Sequence, residues 1–313
     1  MQVGIIGSGM VGAAIAFSIT TEGLAQKLIL IDTDTKRSTA EAMDISHAAP
    51  FSFGTIITAG EYSDLRNTDI IIITAGANQK PGETRLDLLN KNVAIFKTII
   101  PEIKKYAPNA ILIIATNPVD IMTELTLQLS EFPKNQIIGT GTVLDSARFR
   151  SILGHHLGIS PKSIHANVIG EHGDSEVLLW TGAVAGTSSI DRIAQQLNIR
   201  LDDKIKNKID DEVKHAAYTI IEGKGATYYG IAAATQYIVK AISSDNHAIL
   251  NISSHHDTCL DHPANICYSM PSIISKKGVE TTLIPVMNAT EQLALIKSAE
   301  KLKEYTEKAL KII

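Results

Sequence analysis

Short, unbroken runs of Ile, Val and Leu recur along the first half of the chain, at 2–7, 27–32, 54–59, 69–74, 110–116 and 136–139. They lack the alternation of a strand with one wet face, which predicts strands covered on both sides in a parallel sheet. Between them lie segments of helical period, the longest over 84–106. Strand–helix alternation at this spacing predicts a doubly wound α/β domain over 1–141. The second half is mixed and predicts an α+β domain over 142–313. A helix over 144–157 should stop at Gly158, with Pro161 close behind. Strand-like pieces follow at 164–170 and 177–184. A long helix with an apolar core at 218–221 runs into Gly223-Lys224-Gly225, and another continues through Val239. Residues 249–274 read as a β-hairpin turning near Pro263. Asn288, with Glu291 three residues later, forms a capping-box pattern. It opens a closing helix whose apolar positions, Leu293, Ile296, Ala299, Leu302, Tyr305 and Ala309, keep the helical period. No repeat, low-complexity tract or flexible linker interrupts the chain, so the two parts should pack tightly.

Composition narrows the classes without naming one. At 313 residues the chain exceeds a usual single core, consistent with two lobes. Twenty-nine basic against 33 acidic residues give a net charge of -4. With no basic block, that balance argues against nucleic acid or an anionic membrane as partner. Residues 1–19 are largely apolar, but they lack a basic leader and are interrupted by glycines, so a signal sequence is a poor fit. No other stretch is long enough to span a bilayer, so a soluble protein is expected. Two cysteines cannot build a disulfide framework, which points to a reducing compartment such as the cytoplasm.

The first motif is Gly7-Ser8-Gly9-Met10-Val11-Gly12, after the first predicted strand and at the start of a helix. Alone, a GxGxxG is weak. In this setting Gly7 permits a tight turn, Gly9 lets the backbone approach a pyrophosphate, and Gly12 lets helix and strand pack closely. The helix N-terminus then offers N–H groups to the anion. Asp32, ending the second strand 20 positions past Gly12, can accept from both ribose hydroxyls and would repel a 2′-phosphate. These features together predict a Rossmann domain that takes NAD in preference to NADP.

Three further segments carry chemistry. Asp145 and Arg148 fall at i and i+3 of one helix face. His172 sits in the glycine-flanked Gly170-Glu171-His172-Gly173-Asp174, just after a strand. Gln79-Lys80-Pro81-Gly82-Glu83-Thr84-Arg85 joins a strand to a long helix and has the Pro and Gly of a hinged lid. Each has a bland alternative: a helix salt bridge, a turn residue, an exposed loop. Jointly they supply an acid/base, a carboxylate to orient it and two guanidinium groups, a full set for carbonyl reduction.

With these motifs, together with Thr74-Ala75-Gly76-Ala77 and Thr116-Asn117-Pro118, the chain resembles the bacterial-type L-lactate dehydrogenases of the lactate/malate dehydrogenase family over nearly its whole length. No vertebrate-type N-terminal arm is expected. The resemblance implies that Gly7, Gly9, Met10, Val11, Gly12, Asp32, Ala77, Asn117 and Ile231 contact NAD, with Ile231 on the nicotinamide. It implies that His172 exchanges the proton of the substrate carbonyl, that Asp145 orients the imidazole, and that Arg148 grips the substrate carboxylate. Arg85, brought down by loop closure, would polarise the carbonyl, and Asn117 would bond near it.

Substrate choice turns on Gln79. The malate-specific relatives carry Arg at the matching position, and a neutral Gln leaves a second substrate carboxylate without a partner. Thr227 matches the position beside the substrate methyl. Pyruvate and L-lactate are the implied substrates, in cytoplasmic glycolytic fermentation; malate dehydrogenase or another L-2-hydroxy-acid dehydrogenase is the alternative. A non-catalytic NAD-binding protein is a rival from a different class, but it would be expected to have lost one of Arg85, Asp145, Arg148 or His172. An NAD-dependent glycosidase would need its metal-binding Cys and His earlier in the chain. Arg150 and His165 match the positions that bind fructose 1,6-bisphosphate in allosteric relatives, and a homotetramer is implied. His255, His256, Cys259, His262 and Cys267 fit no common zinc spacing, so no metal is expected and the histidines should decorate the exposed end of the hairpin. His155-His156 at a helix C-terminus and the lysines of 204–208 on a solvated face need no ligand.

Overall fold

A computed structural model describes residues 1–77 and 85–311, the side chains of 85–87 excepted. Six strands, β1 (Gln2–Ile6), β2 (Lys27–Ile31), β3 (Ile56–Ala59), β4 (Ile70–Ile73), β5 (Ile111–Ile114) and β6 (Ile137–Gly139), pair in parallel in the order 3-2-1-4-5-6. Helices α1 (Met10–Thr21), α2 (Thr35–Ala48), α3 (Arg85–Tyr106) and α4 (Val119–Ser130) make the crossovers. The unbroken apolar runs have a direct cause: successive side chains of β4 enter different cores. Ile71 and Ile73 join the core containing Phe96 and Met122, from α3 and α4. Ile70 and Ile72 join the core containing Ile15 and Ile19, from α1.

The remainder comprises α5 (Val143–Leu157), the short strands β7 (Ile164–His165), β8 (Val168–Ile169), β9 (Val177–Leu178), β10 (Val184–Ala185) and β11 (Ser188–Ser189), then α6 (Ile190–Gln196), α7 (Asp203–Lys224), α8 (Tyr229–Ser244), β12 (Ala248–Cys259), β13 (His262–Ser275), β14 (Gly278–Thr282) and α9 (Ala289–Leu310). As expected, α5 stops at left-handed Gly158 and α9 opens on a reciprocal Asn288–Glu291 capping box. The hairpin does not stand apart from the parallel sheet. Among the described residues β12, β13 and β14 extend it to nine strands, in the order 14-13-12-6-5-4-1-2-3. The join is one antiparallel pair, Ser253 opposite Gly139. A Cβ at Gly139 would lie 2.9 Å from that of Ser253 and 2.4 Å from Thr123 Oγ1, so the seam needs a residue without a side chain.

Two patterns differ from expectation. The apolar group at 218–221 is no core: Tyr218, Ile220 and Ile221 are exposed, and α7 buries Ile209 and Val213 instead. In α9, Ala299, Leu302 and Ala309 are buried as expected and Ile296 is half-buried, but Leu293 and Tyr305 face outward and Leu295 is enclosed, because the face of the helix that rests on β13 is centred slightly away from the expected one. No helix among the described residues is long and apolar enough to cross a membrane.

Candidate active site

The chain leaves β1 into the glycine turn with Gly7 at φ +103°, and a Cβ there would approach Ala75 N to 2.6 Å. A Cβ on Gly12 would sit 1.9 Å from the Gly7 carbonyl oxygen, so α1 can approach β1 only without one. A Cβ on Gly9 would meet nothing within 4 Å, which leaves that side open to a ligand. Gly9 caps α1 with no side-chain hydrogen bond, and the first turn carries no acidic residue, so its N–H groups suit an anion. Met10 is exposed and Val11 half-buried beside this opening. Thr74 Oγ1 donates to the Gly7 carbonyl at 2.7 Å and ties the turn to the end of β4. Asp32 is brought onto the same turn, its Oδ2 accepting the Ser8 N–H at 2.6 Å and its Oδ1 the Asp34 N–H at 3.0 Å. Turn, helix end and carboxylate together fit a dinucleotide with free ribose hydroxyls.

Next to this crevice a residue that sequence patterns do not flag organises the strand ends. Buried Asn92 accepts the Ala77 N–H through Oδ1 at 2.8 Å and donates through Nδ2 to the Asn117 carbonyl at 2.8 Å. Asn117 is exposed at the end of β5. Thr227 and Ile231 are half-buried, the first just past the α7 cap and the second in the first turn of α8. A Cβ on Gly230 would lie 2.9 Å from Leu144 Cδ1, so the start of α8 is seated against that of α5.

Two segments distant in sequence, α5 and the loop carrying His172, meet at Asp145, which lies in the first turn of α5 and is 2% exposed. Its Oδ2 lies 2.6 Å from His172 Nδ1, and its Oδ1 accepts from Arg148 at 2.7 Å. The helix salt bridge between Asp145 and Arg148 therefore exists, and the same carboxylate also holds the imidazole. The loop carrying His172 is pinned on several sides. Gly170 exchanges backbone hydrogen bonds with Ser269 on β13, and the Glu171 N–H donates to Ser298 of α9 at 2.9 Å. Glu171 also takes Lys301 at 3.1 Å. The His172 N–H donates to Asp120 of α4 at 2.7 Å.

Electrostatics here are set by buried carboxylates. Burial disfavours charge on the imidazole, but Asp145 outweighs it, with help from Asp120 and Glu176, and raises the His172 pKa to about 9. Burial is also the largest influence on Asp145, yet His172 and Arg148 hold its carboxyl below the usual value. Burial pushes Asp120 up to about 6 against the hydrogen bonds it accepts. Burial and then the Asp145 charge push Glu176 up to about 8. Asp120 Oδ1 and Glu176 Oε1 are buried without a hydrogen-bond partner among the described residues. Sequence reasoning gave neither residue a role; the signals were their places in the Asn117-Pro118-Val119-Asp120 and Gly170-to-Glu176 motifs.

Gln79 and the Arg85 side chain lie outside the described residues; the Arg85 backbone opens α3. Arg150 donates Nε to the Ser146 carbonyl at 3.2 Å, and His165 is exposed on β7, which lies against α5. The hairpin histidines depart from expectation. The His255 side chain is only 8% exposed, Cys259 and Cys267 are buried, and His262 alone is fully at the exposed tip. His255 points inward because Glu124 of α4 supplies a buried partner.

A buried carboxylate shared by an imidazole and a guanidinium, beside a dinucleotide crevice, can hold a proton and an anion at adjoining points. Family comparisons agree with that chemistry. Residues 1–139 match the lactate/malate dehydrogenase NAD-binding domain, and residues 142–313 match the α/β C-terminal domain of the same family. The chain is 47% identical to an L-lactate dehydrogenase of Allorhizobium ampelinum, over 97% of its length and 98% of that relative. It is 45% identical to an L-lactate dehydrogenase of Thermus aquaticus, over 97% of both chains. Among solved structures, the minor L-lactate dehydrogenase of Enterococcus mundtii in a ligands-bound form superposes with a TM-score of 0.94 at 36% identity, over 98% of both chains. A lactate dehydrogenase from a Medee basin deep-sea metagenome gives 0.95 at 34% identity, again over 98% of both.

Proposed function

The chain belongs to the lactate/malate dehydrogenase family, and on that premise we propose that it is an NAD-dependent oxidoreductase interconverting pyruvate and L-lactate. The observation that carries the mechanism is the Asp145 carboxylate shared between His172 and Arg148. When bound, the reduced nicotinamide supplies the hydride to the carbonyl carbon. His172 supplies the proton. With Nδ1 committed to Asp145, Nε2 is the nitrogen left to donate to the substrate oxygen and to take the proton back in lactate oxidation. Arg148 uses one N–H on Asp145 and keeps the rest of its fork for the substrate carboxylate. Asp145 balances the charge of the protonated ring, and burial keeps bulk water from weakening both bonds.

Arg85 and Asn117 are assigned to the carbonyl, and Thr227 to the methyl side. Gly7, Gly9, Met10, Val11, Gly12, Asp32, Ala77 and Ile231 are assigned to the dinucleotide. Gln79 sets the preference for a monocarboxylate. The open space at Gly9, the uncapped α1 terminus and the placement of Asp32 support the cofactor assignment. A homotetramer is supported by the exposed apolar side chains Phe17, Met43, Phe51 and Phe53 on α1, α2 and the segment after it. Arg150 and His165 are the residues for a bridging fructose 1,6-bisphosphate, and the role is cytoplasmic fermentation.

The deciding experiment compares kcat/KM for pyruvate and oxaloacetate, each with and without fructose 1,6-bisphosphate. Pyruvate should be preferred by roughly two orders of magnitude, equivalent to about 2.7 kcal/mol. Gln79→Arg should narrow or reverse the gap. A wild-type preference for oxaloacetate overturns the substrate; kinetics and mass insensitive to the bisphosphate overturn the effector.

A further inference from the structure

A second cluster of ligand-bearing side chains lies away from the dehydrogenase site, where α4 packs against the hairpin. His255 on β12 and Cys267 on β13 are directly opposite each other in the ladder, so both present their side chains to the same face. That face meets Glu124 of α4. Glu124 Oε2 is 2.7 Å from His255 Nδ1 and 3.3 Å from Cys267 Sγ. One atom from each of the three residues falls within a sphere of mutual separations below 4.8 Å. All three side chains are almost completely enclosed: Glu124 and Cys267 are buried residues, and the His255 ring is 8% exposed.

We propose that Glu124, His255 and Cys267 bind a divalent cation of the zinc class. The donor set is one imidazole nitrogen, one thiolate and one carboxylate oxygen, the mixture that such an ion takes in tetrahedral sites. With bond lengths of about 2.0–2.3 Å, tetrahedral donors stand about 3.3–3.6 Å apart, so Glu124 Oε2 and His255 Nδ1 must part by about half an ångström, a change within side-chain reach. Each directional ligand is already oriented from behind. Glu124 Oε1 accepts Gln128 Nε2 at 2.8 Å. His255 Nε2 lies 3.2 Å from Asp257 Oδ1, and Asp257 is itself held by Lys134 Nζ at 2.9 Å. A metal-bound histidine whose other nitrogen donates to a carboxylate is the usual outer arrangement of zinc sites. A surface depression lined by Gln128, Lys134, His255 and Asp257 opens on the His255 side of the cluster.

The exchange balances. The ion replaces the protons on Cys267 Sγ and His255 Nδ1, which leave to solvent, while the imidazole keeps its proton on Nε2. The two charges of the ion are matched by the carboxylate and the thiolate, and nothing is oxidised or reduced. The other group of clustered donors among the described residues, Asp145, His172 and Glu176, has no thiol, and its Asp145 is already paired to a guanidinium that repels a cation. The hairpin site is independent of the substrate reading. It would clamp the hairpin to α4, one turn from Asp120, whose carboxylate holds the His172 backbone.

The test is a titration of the chelator-treated full-length protein with cobalt(II). The expected result is one ion per chain with a thiolate-to-cobalt charge-transfer band, bleached by zinc(II) and lost in Cys267→Ser. Asp257 is an exposed residue, so Asp257→Asn reports without disturbing the core; it should weaken cobalt binding by roughly ten- to a hundredfold. Cys259→Ser should retain the band. No charge-transfer band in the wild type, or a band that survives Cys267→Ser, overturns the proposal. If the serine variant does not fold, unaltered cobalt affinity in Asp257→Asn overturns it instead.

Discussion

Among the described residues two buried carboxylates each hold a histidine at nearly equal distance, and the difference between the pairs separates chemistry from structure. Asp145 meets His172 Nδ1 at 2.6 Å, and Glu124 meets His255 Nδ1 at 2.7 Å. In both, the contact raises the affinity of the imidazole for its proton. They part at the other nitrogen. No described residue reaches Nε2 of His172, whose side chain stays 25% exposed. Nε2 of His255 is turned to Asp257, and its ring is 8% exposed. The carboxylates differ as well: Asp145 shares its charge with a guanidinium, Glu124 with an amide and a thiol. A histidine becomes an acid/base through what its second nitrogen faces, and a pair closed at both ends becomes a fastening.

Removing the open ring should separate the two pairs most sharply. His172→Ala is expected to lower kcat for pyruvate by roughly a thousandfold, measured under saturating NADH, with the dinucleotide still bound. A loss of only a few fold would place the proton elsewhere.

Next in size is a shift in pH profile. Pyruvate reduction needs protonated His172, so its kcat/KM should hold up to about pH 9 and fall above it, while lactate oxidation gains over the same range. Asp145→Asn removes the group that overcomes burial, so the inflection should move down toward or below the ordinary 6.5. At about pH 8 that costs well over tenfold in reduction, since each unit past the pKa is a factor of ten. The same raised pKa adds stability that is complete below pH 6.5 and lost as pH rises through about 9. An unmoved inflection would detach the pair from the chemistry. The smallest effect belongs to the closed pair. Glu124→Gln should reduce unfolding free energy by about 1–3 kcal/mol in urea titrations, with little change in kcat. A tenfold fall in kcat would erase the distinction between the pairs.

What could be read without coordinates follows the range of the interactions. The parallel strands were legible because burial on both faces leaves a local mark, as in the four isoleucines of β4. The glycine turn was legible because its three glycines fall within six residues and the Gly12 constraint, the Gly7 carbonyl, is local. Asp145, Arg148 and His172 were recognisable as residue types in motifs, though their sharing of one carboxylate needed α5 and a loop 27 positions away to meet. Asp120 and Glu176 stand in recognisable motifs, but their roles, like that of Asn92, rest on burial and long-range hydrogen bonds that a sequence does not display. The hairpin histidines were misplaced because strand alternation says which residues share a face but not which face is covered. Glu124, which decides it, is 131 positions from His255. In α9 the expected Ala299, Leu302 and Ala309 are buried, while at its first turns Leu295 in place of Leu293 is enclosed.

The single seam between Ser253 and Gly139 also bears on how the chain is made. A nascent chain emerging from the ribosome can assemble the six parallel strands once residue 139 is out, but β6 then ends the sheet with a bare edge. Its covering strand arrives more than a hundred residues later, at 248–259. Throughout that interval the half-made protein carries an adhesive margin of unpaired backbone, so synthesis has a window in which neighbouring copies can join there.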